Sequence, residues 1–354
     1  MPRILALLPV LVLVATPLLP LRSEGSDDGG SFEIIGRTVK PGRKERASFI
    51  SEPSFLKESL DVSVMVARGV KPGPTLCLTA AVHGDEINGV EIARRVFDET
   101  DAMELAGTLV AIPIVNVWGF RSGNRYLADR RDLNRFFPGL RQGSLASRIA
   151  WVIFEHAIRR CDGLIDLHTG SNERTNVPQI RVDLGNERAT ELAMHFGIGV
   201  VIDGAGPRGS LRRAAVEADV PAIIYEAGGP NRFERREIAR GVEGVRNVLE
   251  HFKMVKGAPA TTKPEAVFRS SSWVRAVQGG IFLSDREPGE ALEKGAILGT
   301  VTDPTTSARV EITAPFSGML LGMAHPQVVL PGFGLFHIGR HDASAGREEP
   351  EHGE

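Results

Sequence analysis

The feature that most constrains the fold of this 354-residue chain is the segment at residues 75–95, which has the pattern of a buried strand followed directly by a helix. Its first half is a short apolar run of strand length, and its second half has apolar residues at mostly helical spacing. Between the two halves stands the motif H-G-D-E, which begins at His83 and ends at Glu86. Ligands of open α/β sheets collect beyond the carboxyl ends of the strands, so this motif lies where chemistry is expected. An imidazole and a carboxylate three residues apart can converge on one metal ion, and these donors suit zinc.

Strand and helix patterns alternate along the chain up to residue 251. The patterns predict strands that begin at residue 75 and at residues 32–39, 60–66, 108–115, 163–168, 200–202 and 222–225, and helices at 87–96, 145–159, 189–196, 211–218 and 234–251. Such alternation predicts an α/β fold, with a mostly parallel or mixed sheet and helices on both faces.

Composition changes at residues 256–264, where the stretch K-G-A-P-A-T-T-K-P resembles a linker. Short strand patterns punctuated by Gly and Pro follow it. We therefore expect a catalytic domain at residues 32–255 and a small all-β domain at residues 265–340. The charged residues 341–354 are predicted to form a disordered tail.

The N-terminus differs in character from the rest of the chain. Arg3 precedes an apolar run at residues 4–21 that is interrupted by one threonine and three prolines, and a polar, Gly-rich stretch follows. This order predicts an export signal over residues 1–22 that is cleaved from the mature protein, with an uncleaved membrane anchor as the alternative. The protein is accordingly expected to be periplasmic or secreted.

The composition excludes one class of partner and leaves the redox state of two cysteines open. The formal net charge is −2 and no basic stripe is present, which argues against binding of nucleic acid. Cys77 and Cys161 lie in or beside apolar, strand-like runs. They are predicted to be free and buried, and a single disulfide is the alternative in an oxidising compartment.

A second informative stretch is the motif D-L-H-T-G at residues 166–170. His168 ends a buried strand there, so it also belongs to the carboxyl edge of the predicted sheet. With His83 and Glu86 it completes a His-Glu-His set, and three protein ligands plus one water is the pattern of catalytic zinc. Asp166, two residues earlier on the same strand face, is either an orienting partner of His168 or a solvated turn acid.

The third stretch is Y-E-A-G-G at residues 225–229. Glu226 ends another apolar strand, where a carboxylate is costly to bury without a purpose. Taken alone, it is typical of an ion-paired acid at a strand end. Beside a zinc site it would be the general base that takes a proton from water and passes it to the leaving amine.

A long polar loop at residues 119–143 contains the fourth stretch, D-L-N-R-F-F-P-G at residues 132–139. Loops of this length are uncommon in compact domains unless they have a function. The guanidinium group of Arg135 can bind a carboxylate through two hydrogen bonds, and the amide of Asn134 can add another. A further arginine near the metal could stabilise a developing oxyanion.

Taken in order, these four motifs resemble those of the succinylglutamate desuccinylase/aspartoacylase family, a branch of the zinc carboxypeptidase-like hydrolases. The resemblance covers roughly residues 60–252 and continues through the predicted β domain. It implies a zinc carboxypeptidase-like fold, one zinc ion bound by His83, Glu86 and His168, and Glu226 as the catalytic carboxylate.

The resemblance also implies how a substrate is held. Asn134 and Arg135 would bind the carboxylate of the substrate. The arginine beside the attacked carbonyl would be Arg125, which fits the local pattern best, with Arg130 as the alternative. Another substrate-binding arginine is expected before the catalytic carboxylate, and three positions remain open: Arg208, Arg212 and Arg213.

These observations predict a zinc-dependent hydrolase that cleaves the amide bond of an N-acyl amino acid or a similar small carboxylate substrate. Because an export signal is expected, the alternative is an exported zinc carboxypeptidase or amidase that acts on short peptides or peptidoglycan fragments. A non-catalytic zinc-binding relative is the third hypothesis.

Overall fold

The computed structural model of this protein describes residues 30–53, 59–257 and 263–340. The predicted export signal or anchor at residues 1–22 and the predicted disordered tail at residues 341–354 lie outside these residues. None of the described helices is both long enough and apolar enough to cross a membrane.

Strands open the described chain, and helices and strands alternate from residue 88 to residue 251. The strands of this part are β1 (Phe32–Ile34), β2 (Arg37–Val39), β3 (Arg43–Pro53), β4 (Ser59–Arg68), β5 (Lys71–Ala80), β6 (Ala106–Ile112), β7 (Gly163–His168), β8 (Arg174–Val182), β9 (Val200–Asp203) and β10 (Ala222–Gly228). The helices are α1 (Asn88–Glu99), α2 (Val117–Ser122), α3 (Leu145–His156), α4 (Glu187–Phe196), α5 (Leu211–Glu217) and α6 (Arg235–His251), with short 3-10 turns at Leu133–Arg135 and Ile158–Arg160.

The elements described after residue 263 are strands. They are β11 (Ala266–Phe268), β12 (Ser271–Arg275), β13 (Gly280–Leu283), β14 (Ala291–Leu292), β15 (Ile297–Thr302), β16 (Arg309–Thr313), β17 (Gly318–Ala324), β18 (Gln327–Val329) and β19 (Gly334–Arg340).

One large mixed sheet organises the molecule. Its strand order is β12-β19-β17-β8-β10-β7-β5-β6-β4-β3, with β9, β11 and β14 attached beside this path. The four central strands β10, β7, β5 and β6 run parallel to one another, and their outer neighbours β8 and β4 are antiparallel to them. The predicted α/β fold with a mixed sheet is confirmed.

Helices cover both faces of the central strands. Side chains alternate across a strand, so Leu76 and Leu78 of β5 face one core while Cys77 faces the other. Helices α1, α4 and α6 pack in the first core, and α3 and α5 pack in the second. Each fully buried large aliphatic or aromatic side chain contributes about 1.5–3 kcal/mol. The two cores therefore hold the parallel strands between them, as the alternating sequence predicts.

The C-terminal strands both extend this sheet and form one of their own. β17 pairs with β8, and β19 and β12 continue the sheet beyond it. Strands β16, β15, β13 and β18 form a separate antiparallel sheet. A third hydrophobic core is made of residues from both groups of C-terminal strands. It includes Phe282 of β13 and Phe336 of β19. The domain boundary between residues 255 and 265 stays a prediction.

The structure differs from the sequence patterns in several local elements, and strand β3 (Arg43–Pro53) and helix α2 (Val117–Ser122) are among those that the patterns do not predict. The single strand predicted at residues 32–39 is a hairpin of β1 and β2, which turns at Ile35 and Gly36, both at positive φ. Strand β8 was not predicted at all. Its residues Asn176 and Gln179 are polar although they are buried, so the apolar pattern that identifies a strand is interrupted.

The prediction that both cysteines are free is wrong. Cys77 of β5 and Cys161, just before β7, form a disulfide with their Cα atoms 5.8 Å apart. The sequence separation of 84 residues conceals this contact. It arises because β5 and β7 are neighbours in the sheet, with Leu76 paired to Gly163.

Candidate active site and metal centre

The predicted site residues follow adjacent parallel strands of the sheet. His168 is the last residue of β7, and the pairing of β7 with β10 sets Glu226 directly beside it. His83 follows the end of β5, the other neighbour of β7. The carboxyl ends of three neighbouring strands therefore hold these side chains at one edge of the sheet, where open α/β sheets bind their ligands.

The structure brings His83, Glu86 and His168 together. Nδ1 of His83 lies 2.8 Å from Oε1 of Glu86, and Nδ1 of His168 lies 2.6 Å from Oε2 of the same carboxylate. The ring centroids of the two histidines are 5.1 Å apart, and all three residues are buried. One ligand atom from each lies within 4.8 Å of the others, so a single ion can reach all three.

The donor set fits a zinc ion. Despite its closeness to Glu86, Nδ1 of His83 is buried and makes no hydrogen bond within residues 30–53, 59–257 and 263–340. An unsatisfied buried nitrogen is costly unless a ligand completes it. Two imidazole nitrogens and one carboxylate are one of the ligand sets of catalytic zinc in proteins, with the fourth position left to water.

Both histidines are oriented by a second carboxylate through the other ring nitrogen. Nε2 of His168 lies 2.8 Å from Oδ2 of Asp166, and Nε2 of His83 lies 3.0 Å from Oδ1 of Asp132. Such contacts hold the proton on Nε2 and leave Nδ1 free to bind a metal. Asp166 thus occupies the orienting position considered for it. Asp132 stands at the start of the D-L-N-R motif, but no local pattern predicts its contact with His83.

Neighbouring charges strongly shift the pKa values of His168 and Glu86. Burial on its own would lower the pKa of His168, but the carboxylates of Asp166 and Glu86 outweigh it and hold that pKa well above its usual value. Burial would likewise raise the pKa of Glu86, yet His83 and His168 hold it well below its usual range. The buried carboxylates therefore favour positive charge at the point where the three ligands converge.

A close backbone contact explains the glycine of the H-G-D-E motif. A Cβ atom on Gly84 would lie 1.9 Å from the carbonyl carbon of Gly119 in α2. Asn116 caps this helix by accepting a hydrogen bond from the amide of Gly119 at 2.8 Å. Its Nδ2 donates to the carbonyl oxygen of Arg125 at 3.2 Å. These contacts hold the H-G-D-E motif, helix α2 and the loop that carries Arg125 in fixed positions relative to one another.

Of the two candidate arginines, only Arg125 lies in the site. Its Nη1 donates to Oε1 of Glu86 at 3.1 Å and its Nη2 donates to Oδ2 of Asp132 at 2.8 Å. Nη1 also donates to Oγ of Ser171 at 2.6 Å. Arg130 is exposed at a loop position with φ 63°. The guanidinium group beside the ligand cluster is therefore that of Arg125.

The two predicted substrate-binding residues differ in exposure. Asn134 is buried, and its side-chain oxygen accepts a hydrogen bond from the amide of Leu211 at 2.8 Å. This contact fixes the side-chain amide of Asn134. Its oxygen is occupied by Leu211, and its NH₂ group is left to donate elsewhere. Arg135 is about half exposed, and its Nη1 donates to the carbonyl oxygen of Asn134 at 2.9 Å. The buried amide of Asn134 and the half-exposed guanidinium group of Arg135 thus stand side by side.

Glu226 is held by β8, the strand that the sequence patterns did not reveal. Oε2 accepts hydrogen bonds from Nδ2 of Asn176 at 2.9 Å and from Nε2 of Gln179 at 2.8 Å. Nε of Arg181 lies 3.1 Å from Oε1. The carboxylate is partly exposed, at 16%, and does not belong to the three-ligand cluster. The backbone of Glu226 is paired with that of His168, so Glu226 stands next to the cluster without being part of it.

Among the three open arginines, Arg212 is buried and poorly satisfied. Among the residues that the structure describes, its Nε and Nη1 have no hydrogen-bond partner. Burial and the nearby charge of Arg181 lower the pKa of Arg212 to about 10. Arg213 is instead paired with Glu217, and Arg208 is exposed. A buried guanidinium group with unsatisfied N–H donors is the feature expected of a binding position for an anionic ligand.

Comparison with known proteins identifies the family. The model of the succinylglutamate desuccinylase/aspartoacylase catalytic domain matches residues 72–252, more than half of the chain. N-alpha-acetyl-L-2,4-diaminobutyric acid deacetylase of Halomonas elongata is 27% identical over 286 residues, which cover 76% of this chain and 82% of that protein.

Solved structures of other proteins have the same fold as this chain. The product-bound ectoine utilization protein EutE of Ruegeria pomeroyi has a TM-score of 0.77 at 23% identity, over 85% of this chain and 97% of that one. A succinylglutamate desuccinylase/aspartoacylase of Rhodobacter sphaeroides has a TM-score of 0.76 at 21% identity, over 85% and 98% of the two chains. The chain therefore belongs to the succinylglutamate desuccinylase/aspartoacylase family, and it is a hydrolase of the class that acts on amide bonds.

Proposed function

We propose that this hydrolase is a zinc-dependent deacylase that cleaves the amide bond of a small N-acyl amino acid. One observation carries the proposal: His83 and His168 turn Nδ1 towards a shared carboxylate, while separate aspartates hold both Nε2 atoms. Family membership supports the reaction class. The Halomonas elongata relative is named for an N-acetylated amino acid, which supports the choice of substrate class.

The residues of the site can perform the separate steps of amide hydrolysis. Zinc, when bound by His83, Glu86 and His168, supplies polarisation of the amide carbonyl and a lower pKa for water. Glu226 takes a proton from the attacking water and returns it to the leaving amine, which would otherwise depart as a costly anion. The guanidinium group of Arg125 lies beside the cluster, where it stabilises negative charge on the carbonyl oxygen.

The substrate is held through its anionic groups. Arg135 offers two parallel N–H donors to a carboxylate, and Asn134 adds an amide donor whose position is fixed by the contact with Leu211. We assign a second anionic or strongly polar group of the substrate to Arg212, because its unpartnered N–H groups are buried near Glu226. Two separate contacts of this kind would fix the amide bond relative to the catalytic groups.

Zinc content and turnover of Glu226→Gln test this proposal. The wild-type chain is expected to hold one zinc ion in this site, and the variant is expected to retain it, because Glu226 is not a ligand. Loss of the general base lowers kcat by roughly 10²–10⁴-fold. Glu243→Gln, an exposed substitution on α6, is the matched control and keeps full activity. The proposal fails if the wild type lacks zinc, or if the variant turns over its substrates at the wild-type rate.

We also propose that the protein is exported. The buried disulfide between Cys77 and Cys161 supports this, because structural disulfides persist in oxidising compartments. The N-terminal apolar run points the same way, either as a cleaved signal or as an anchor. Fractionation of cells that express the full chain, with antibody detection of the protein, tests this; recovery in the cytosol with both cysteines reduced would contradict it.

Export favours one second candidate function, a zinc carboxypeptidase or amidase that acts on short peptides or peptidoglycan fragments. The same groups would serve, since Asn134 and Arg135 can bind a C-terminal carboxylate. A panel of N-acyl amino acids, including N-acetyl-2,4-diaminobutyrate, assayed beside short peptides and muropeptides distinguishes the two. A higher kcat/KM on peptides would favour the peptidase. Bound zinc without turnover on any substrate would indicate a non-catalytic relative.

A further inference from the structure

A second cluster of metal-binding side chains lies where α4 meets α6. Glu191 and His195 are four residues apart on α4, so they lie on the same face of that helix. His251 is the last residue of α6, and its Nε2 lies 2.9 Å from Oε1 of Glu191. The rings of His195 and His251 stack at 12° with their centroids 3.2 Å apart. Two imidazoles and one carboxylate are thereby gathered at one point.

The spacing of these groups suits a single ion after a small adjustment. One ligand atom of each residue lies within 4.8 Å of the others, whereas ligands of a tetrahedral zinc ion with bonds of ~2.1 Å are separated by ~3.4 Å. Glu191 and His195 are partly exposed and can adjust, whereas His251 is buried. In the described part of the chain, the ring nitrogens of His195 make no hydrogen bond or ion pair, so they are available.

The two helices that carry the ligands are firmly packed. A Cβ atom on Gly244 of α6 would lie 2.1 Å from the ring of Phe196 in α4, and Asn247 of α6 donates a hydrogen bond to the carbonyl oxygen of Phe196 at 3.1 Å. The backbone positions of the three ligands are therefore set before an ion binds. Preorganisation of this kind reduces the entropic cost of binding.

This cluster is remote from the candidate active site. Glu234, at the start of α6, accepts a hydrogen bond from the amide of Gly229 at 2.8 Å, in the loop that follows Glu226. Helix α6 has 17 residues, and a helix of that length extends about 25 Å. His251 stands at its opposite end. An ion bound there takes no part in the reaction at the sheet edge.

We propose that Glu191, His195 and His251 bind a second divalent transition-metal ion, with Zn²⁺ as the probe. Imidazole and carboxylate ligands suit zinc, copper and nickel ions and leave one position for water. Since the ligands come from two helices, the ion joins α4 to α6. An ion that binds only the folded chain stabilises it by mass action.

Metal stoichiometry of the full chain without a polyhistidine tag tests the proposal. Equilibrium dialysis against Zn²⁺, followed by metal analysis, compares the wild type with His195→Gln and His251→Gln. His156→Gln, which removes an exposed histidine on α3, is the matched control. We expect each variant of the cluster to bind one equivalent fewer than the wild type, while the control binds as many. Equal stoichiometry in all four proteins would overturn the proposal.

A spectroscopic arm keeps the test independent of folding defects. Because Cu²⁺ displaces Zn²⁺ from imidazole and carboxylate ligands, the metal-free chain is loaded with two equivalents of Cu²⁺, enough to fill both clusters. Electron paramagnetic resonance should show two coupled nitrogens for both Cu²⁺ ions of the wild type, and for only one of the two ions in His195→Gln. Glu191→Gln, which retains side-chain size and both histidines, should weaken Cu²⁺ binding at least tenfold. An unchanged nitrogen pattern in His195→Gln refutes the site, whereas failure of Glu226→Gln to affect turnover would concern only the proposed reaction.

Discussion

Replacement of Asp166 by Asn changes one atom next to His168 and tests how the candidate metal centre is oriented. Oδ1 of Asp166 accepts a hydrogen bond from Oγ1 of Thr79 at 2.6 Å, and Oδ2 lies 2.8 Å from Nε2 of His168. In the Asn variant the oxygen remains with the hydroxyl donor, so the NH₂ group faces Nε2. Nε2 must then accept a hydrogen bond, and the ring proton moves to Nδ1. A protonated Nδ1 cannot bind an ion.

The expected loss of zinc affinity follows from the loss of this contact between Asp166 and His168. Removal of a carboxylate that holds a histidine ligand typically weakens metal binding by about 10–100-fold, which corresponds to ~1.4–2.7 kcal/mol. The contact is fully buried, with Asp166 0% exposed, so water cannot replace it. We therefore expect the Asp166→Asn variant to lie near the upper end of this range. Turnover should fall in parallel at limiting zinc and recover in part at high zinc.

Competition with a chelator of known affinity measures the zinc dissociation constants. The double variant Thr79→Val, Asp166→Asn is the decisive control, because without the hydroxyl donor the amide can turn its oxygen towards His168. It should bind zinc more tightly than the single variant. If Asp166→Asn binds zinc as tightly as the wild type, or if the double variant binds no better than the single one, the tautomer argument is refuted.

Three further predictions concern other parts of the molecule. Replacement of Cys77 and Cys161 by Ala should lower the free energy of unfolding by about 4 kcal/mol in denaturant titrations, because the bond closes a loop of 84 residues; a loss below ~1 kcal/mol would contradict this. Arg125→Ala should reduce kcat by roughly 10²–10³-fold, whereas exposed Arg130→Ala should leave kinetics unchanged, and equal effects would remove the distinction between them. Gly84→Ala should abolish zinc binding or soluble expression, because its Cβ would overlap backbone atoms of α2; a folded variant with normal zinc content would show that this contact can relax.

Residue order along the strands already indicates the candidate metal ligands. His83 and His168 each stand where an apolar strand gives way to a polar loop, and parallel strands bring such ends to one edge of a sheet. The H-G-D-E spacing places Glu86 within reach of the same point. The fold class can also be predicted from the sequence, since the alternation of strand and helix patterns predicts the buried central strands β5, β6, β7 and β10. These inferences rest on local patterns that burial imposes on the sequence.

Contacts between residues that are far apart in the sequence could not be predicted from local patterns. Strand β8 escaped detection because Asn176 and Gln179 are polar where a buried strand should be apolar. Its polar side chains have partners in Glu226, which a pattern of single residues cannot reveal. Similarly, Asp132 resembles any loop acid until the fold sets it 3.0 Å from His83.

The amino-acid sequence by itself determined the α/β architecture and the edge at which the candidate ligands His83, Glu86 and His168 converge, because both follow from burial and from the period of strands and helices. Tertiary structure alone decided the disulfide of Cys77, the partners of each ring nitrogen and the second cluster between α4 and α6. These depend on which strands and helices become neighbours. That choice is made by packing of the whole core rather than by any one segment.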